Sequence, residues 1–151
     1  MAIARGAGTE IIRSVMMQDV DNTWQQIIVG AQDHIYTILS VVCYLHSADA
    51  YPRDVEMRIV GWDSKTAASG TVINVMAQSL NQKETFVWND KFSIMGHTAT
   101  DWGTDAMDSV ADQDAIADQN GGNAQSLQIR SSGGSNDQLH VVCTFIDQNN
   151  E

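Results

Sequence analysis

The segment HIYTILSVVCYLH, His34–His46, is apolar on both of its alternating sets of positions. Read with the two-residue period of a strand, one set holds Ile35, Leu39, Val41, Cys43 and Leu45, and the other holds Tyr36, Ile38, Val42 and Tyr44. A strand with two apolar faces has to be covered twice. In a two-sheet structure the second cover is either a further internal layer or the surface of another subunit. Self-association is the expectation, with Tyr36, Ile38, Val42 and Tyr44 as the inter-protomer residues.

Runs of related character recur along the chain at Glu10–Met17, Thr23–Val29, Val55–Trp62, Thr71–Ser79, Thr85–Ser93, Gln125–Ser131 and Leu139–Asp147. They are rich in Val, Ile, Thr and aromatic residues and are separated by Gly, Asn, Asp and Ser clusters, the all-β signature. Together with His34–His46 they predict an all-β, eight-stranded β-sandwich. With 151 residues, 43% of them hydrophobic, the chain has enough material for one packed core. A single domain is expected over 10–151, preceded by an N-terminal arm, 1–9. Turn chemistry marks Gly30, the stretch around Pro52, the stretch ending at Gly70, and SSGGSND, which reads as a hairpin.

Thr100–Gln119 departs from this pattern. Met107, Val110, Ala111 and Ile116 permit a short amphipathic helix that Gly121 and Gly122 would end. Asp101, Asp105, Asp108, Asp112, Asp114 and Asp118 make it the most acidic stretch. The expectation is one short acidic helix or loop insertion.

Charge narrows the function classes. Eight Lys and Arg stand against 19 Asp and Glu, a net charge of -11 that repels phosphate backbones and anionic lipid. No nucleic-acid or membrane partner is therefore expected. No run approaches the roughly 18 apolar residues of a membrane span, and Met1–Gly8 has no apolar signal core, so a soluble, unprocessed chain is expected. Phosphate-loop, dinucleotide-binding and nucleophile-elbow motifs are absent. His34, His46, His97 and His140 are scattered without metal-ligand spacing. Asp112-Gln-Asp114 opens like a calcium loop, but Ile116 and Ala117 occupy its next ligand and turn positions. No catalytic residue, metal or cofactor is expected. Trp62, Trp88 and Trp102 are open to two readings, a sugar-stacking platform or core packing. Cys43 and Cys143 lie in apolar runs whose alternation turns both toward the core as unpaired thiols; a disulfide would need their Cα atoms within about 7 Å.

The phrases ARGAGTEIIRS, HIYTILSVVCYLH, GWDSK, ETFVWNDKFSIMG, DQDAIADQ and VVCTFIDQNNE, spread from Ala4 to Glu151, resemble small virion proteins encoded by marine tailed bacteriophages. FVWNDKFSIMG followed by DAIADQ is the most specific part. The resemblance implies a jelly-roll-like capsid decoration, or cement, protein on the outer surface of the head, assembled in the host bacterial cytoplasm. It would bind the major capsid protein as an oligomer, a homotrimer by analogy, and resist the pressure of packaged DNA without turning anything over. Ala4, Arg5, Thr9 and Ile11 would belong to an arm against the capsid; the plain alternative is a frayed terminus. A tail or fibre protein that recognises a host glycan through Trp62 and Trp102 is the main competitor. A sugar hydrolase using the Asp cluster is a more distant one.

Overall fold

A computed structural model describes residues 9–31, 34–63, 68–95 and 125–149. Ala4 and Arg5 of the expected arm and the acidic stretch Thr100–Gln119 lie outside the described residues. The regular structure within them is all β: β1 (Thr9–Val20), β2 (Gln25–Val29), β3 (His34–Ser47), β4 (Arg53–Asp63), β5 (Ala68–Leu80), β6 (Thr85–Trp88), β7 (Phe92–Met95), β8 (Ser126–Ser131) and β9 (Gln138–Asn149). Two antiparallel sheets result. One has the order β1-β9-β3, with β6 and β7 both on the far edge of β3; the other has the order β2-β8-β4-β5. The expected sandwich-like architecture is present, with nine strands among the described residues in place of eight.

The additional strand comes from Thr85–Ser93, which divides into β6 and β7. β6 pairs with Val41–Tyr44 of β3 and β7 with Ile35–Ile38, so the break faces Leu39 and Ser40. At the same place the pairing of β3 with β9 shifts between Ile38 and Ser40. Leu39 is the extra residue of a bulge, which bends a strand and interrupts its ladder. Asn89, Asp90 and Lys91 fill the gap opposite, and the Trp88 indole N–H donates to the Asp90 carbonyl at 2.8 Å.

That bulge corrects the sequence reading of β3. A single inserted residue moves every later side chain to the other face. Tyr36 and Ile38 therefore share the inner face with Val41, Cys43 and Leu45, and all five are buried. Val42 and Tyr44 stay on the outer face. Much of the apparent double-sidedness of His34–His46 is one buried face whose parity changes at Leu39.

SSGGSND also behaves differently from expectation. It carries the chain from β8 in one sheet to β9 in the other, so it is a crossover and not a hairpin. Its anchor is Asp137, 2% exposed, whose carboxylate accepts from Ser131 Oγ at 2.6 Å and from Arg53 Nε at 3.3 Å. A Cβ at Gly133 would stand 2.1 Å from Arg53 Nε and 2.3 Å from Asp137 Oδ2, so only glycine fits the closed loop. Turn composition reports a reversal of direction but not whether the flanking strands pair.

The core lies between the sheets. From the five-stranded sheet come Val20, Ile38, Val41, Cys43, Leu45, Ile94, Leu139, Val141, Cys143 and Phe145; from the four-stranded one, Ile27, Ile28, Val55, Met57, Met76, Leu80, Leu127 and Ile129. Each large aliphatic side chain removed from water in this way contributes roughly 1.5–3 kcal/mol. β9 alternates without a break over its whole length, outward at Gln138 and inward at Leu139, through to Asn149. It is the central reference against which β1 and β3 take their register.

Candidate functional site

The outer face of the five-stranded sheet carries an unusual row. Met16 of β1 pairs with Val142 of β9, Val142 with Val42 of β3, and Val42 with Val87 of β6. Four apolar side chains thus stand side by side across four strands, with Met16 80% and Val87 48% exposed. A second apolar pair, Ile12 and Ile146, lies four residues further along; Ile12 is 72% exposed. Between them run Ser14, Thr144 and Ser40. The formal charges on this face of β1, β9, β3 and β6 are Glu10 and Asp19, near the two ends of β1, with His46 and His140 as its titratable imidazoles. In a chain of net charge -11, the middle of this platform is uncharged and largely apolar.

The sequence-predicted residues divide between this platform and the core. Val42 sits in the middle of the apolar row and Tyr44 beside it, opposite His140. Tyr36 and Ile38 do not join them: both are buried against the other sheet and contribute to folding instead. Thr9 and Ile11 are part of β1, paired with Asn149 and Asp147, so the regular sheet begins within the residues assigned to the arm. Met16, Val142 and Val87 were missed as surface partners because their juxtaposition depends on strand order. Their individual signal, an outward-phased apolar residue in each strand, is present in the sequence.

One end of the platform holds an aromatic cluster. The His46 and His140 rings stack at 5.4 Å between centroids, inclined by 9°, with Tyr44 6.0 Å from His140. Asp19, 53% exposed, lies 3.6 Å from His140 Nε2. The register of β3 and β9 brings together two histidines that are 94 positions apart, but no group of metal-ligating side chains forms among the described residues.

At the other end an open cavity of about 360 Å³ is lined by Arg13, Ile28, His34, Tyr36, Phe145 and Asp147, among others. Asp147 is nearly buried and bridges Arg13 Nε at 2.7 Å and His34 Nδ1 at 2.6 Å. The Tyr36 hydroxyl accepts from the Ala31 N–H at 3.0 Å. These bonds close the rim where the inward phase of β9 turns polar, and they neutralise a carboxylate that would be costly to bury alone.

The outer face of the four-stranded sheet is different in kind. Gln26, Gln128, Arg58 and Asn74 form a cross-strand row, with Arg130 and Glu56 paired beside it. The Arg58 and Arg130 guanidiniums lie 3.9 and 4.5 Å from the Trp24 ring centre. Arg58 Nε donates to Gln128 at 2.8 Å and Arg130 Nε to Glu56 at 2.6 Å. Desolvation, then the neighbouring Arg130, lowers the Arg58 pKa, with Glu56 acting in the opposite direction. Val60 and Val72 pair toward the far end of the same face.

Trp24 was not singled out from sequence, whereas Trp88 was. Trp88 pairs with Val41 on the inner face and packs edge-on against Phe92, with centroids 6.1 Å apart, which is the core-packing reading. Trp102 lies outside the described residues; Trp62 falls in β4. Cys43 and Cys143 are buried and unpaired, as alternation predicted. They are diagonal neighbours across β3 and β9. Burial pushes both thiols up to about 12, and Cys43 also feels Cys143.

No protein-family model matches the chain, and no curated protein matches it. Among solved structures, it is similar to one described as "Bacillus endospore appendages form a novel family of disulfide-linked pili". The identity is 12% and the TM-score 0.43, over 100% of this chain and 97% of that one, a likeness too weak to carry an argument.

Proposed function

We propose that this protein is a structural component of a bacteriophage virion, a decoration or cement protein that assembles on the outer surface of the capsid as a homo-oligomer, a trimer on the family analogy. The observation that carries the reading is the apolar row Met16–Val142–Val42–Val87 on a sheet face whose carboxylates, Glu10 and Asp19, lie near the ends of β1. Exposed apolar area of this kind is stable in water when a second protein surface covers it. A second copy fits it because the uncharged middle of this face lets two chains of net charge -11 approach with little charge repulsion at the contact. Contacts repeated over a symmetric shell then hold by multivalency, even where each is weak.

The strand order supports the finer assignment. Counting β6 and β7 as one interrupted strand turns the two sheet orders into 1-8-3-6 and 2-7-4-5. That order is what two interleaved Greek keys would give and supports the jelly-roll reading, an architecture used by capsid and lectin domains. On this reading the partners are further copies of the chain and the major capsid protein, the role is mechanical, and no cofactor or catalytic group takes part.

The test is the copy number in purified particles, by quantitative mass spectrometry against the major capsid protein. A ratio near one to one, or one trimer per local threefold position, is the expected outcome. A few copies to some tens per particle would reject cement and transfer the chain to the tail or fibres, where host-glycan binding becomes the function to measure.

A further inference from the structure

We infer that the outer face of the four-stranded sheet carries a carboxylate-binding site, built by Arg58 and Arg130 on Trp24. This inference is independent of the virion reading and concerns the opposite side of the sandwich.

The chain has eight Lys and Arg in all. Arg13 and Arg53 are each bound to a buried carboxylate, Asp147 and Asp137. Arg58 and Arg130, by contrast, come together on one indole although 72 positions separate them in sequence. Like charges gathered this closely are unfavourable unless something negative lies between them, and the site provides one carboxylate, Glu56, for two guanidiniums. No carboxylate of the described residues lies within ion-pair distance of Arg58, whose polar partner is the neutral Gln128. Among the described residues, an excess of one positive charge is left at this site, in a protein of net charge -11.

Geometry makes this charge usable. A guanidinium has five N–H donors in a planar fork. Both arginines commit Nε to a neighbour on the same sheet face, and among the described residues their terminal Nη groups hydrogen-bond to no protein atom. The cation–π contacts with Trp24 and the Nε hydrogen bonds hold both guanidiniums in place, so less rotational freedom remains to be lost on binding. A carboxylate is the planar, two-oxygen acceptor that such a fork takes in parallel N–H···O bonds. Gln26 and Asn74, both exposed in the row through Arg58, supply neutral donors and acceptors at the margins. The carboxylates can belong to a free polycarboxylate or to an acidic peptide segment of another protein; the chemistry at the arginines is the same.

The experiment titrates the full ¹⁵N-labelled chain with citrate and, separately, with a hexaglutamate peptide, in chloride buffer at constant ionic strength. The side-chain Nε–H signals of Arg58 and Arg130 and the indole N–H of Trp24 are followed. Saturable shifts of all three at low millimolar ligand are expected. Arg58→Gln weakens binding about tenfold, the scale of one charge-assisted bidentate contact. Arg58→Lys keeps the charge, loses the fork and weakens it about threefold or more. Glu56→Gln, which removes the internal competitor without changing shape, tightens binding about threefold or more, an effect that a merely structural cluster would not give. Tighter binding of the peptide per carboxylate identifies a protein segment as the source, and tighter binding of citrate a small ligand. Absence of saturable shifts up to about 20 mM of both probes, or equal affinity in the parent chain and both Arg58→Gln and Glu56→Gln, would overturn the site.

Discussion

The outer faces of the two sheets are built on the same alternation and end with opposite chemistry. Across the five-stranded sheet the outward residues of the central row are Met16, Val142, Val42 and Val87; across the four-stranded sheet they are Gln26, Gln128, Arg58 and Asn74. Both sheets bury an equally apolar inner face, so folding requires no such difference outside. What distinguishes them is the solvent each face is built for. The polar row keeps hydrogen-bonding groups at the surface, with Arg58 Nε paired to Gln128 and its other donors facing solvent, and stays wet. The apolar row has nothing for water to bond to and is suited to coverage by protein.

The sharpest way to test this contrast is within β3, where inner and outer positions are consecutive. Val41→Asp places a charge in the closed core, 0% exposed, and is expected to abolish folding at a cost of several kcal/mol. Val42→Asp leaves the circular dichroism spectrum and a cooperative melt intact but yields monomers in light scattering. A folded oligomer of Val42→Asp would remove the apolar row from the interface.

A smaller effect compares one sheet with the other directly. If the apolar row is the proposed interface, Met16→Lys is expected to weaken self-association about tenfold or more in sedimentation, since one unpaired charge enters an uncharged row. Ala77→Lys, exposed on the opposite face, changes association little and stability by no more than about 0.5 kcal/mol. Equal effects of the two substitutions would erase the distinction between the faces.

The smallest effect at neutral pH comes from the layer that both sheets share. The Cys43 and Cys143 pKa values rise from 9.0 to about 12 in the folded chain because burial disfavours the thiolate. Below pH 9 both states keep the protons and stability is complete. Between about pH 9 and 12 the unfolded chain releases them first, so stability falls as pH rises. Denaturation midpoints at pH 8 and 10.5, measured for the parent chain and for Cys43→Ala/Cys143→Ala, should show the steeper fall in the parent. Native thiols should also react with a disulfide reagent only as fast as the chain opens.

The inward phase of β9, Leu139 through Phe145, was legible from alternation because that strand has no bulge and one polar side. The core placement of both cysteines followed from the same pattern. β3 was misread before its midpoint, at Tyr36 and Ile38, since a bulge at Leu39 has no local signature in an apolar run and shows itself only in the pairing with β9. Thr85–Ser93 divided for a related reason: its edge pairing had to follow a partner that bends. Trp24 gave no signal because its partners come from β4 and β8, far away in sequence.

Composition and a period of two residues were enough to settle the all-β character, the apolar material of one core and a strongly negative net charge. Tertiary structure alone decided which outward residues became neighbours. Met16 meets Val87 through two intervening strands, His46 stacks on His140, and Arg58 shares an indole with Arg130. Strand order and register are long-range choices, settled by how the two inner faces pack together, and the functional surfaces follow from them.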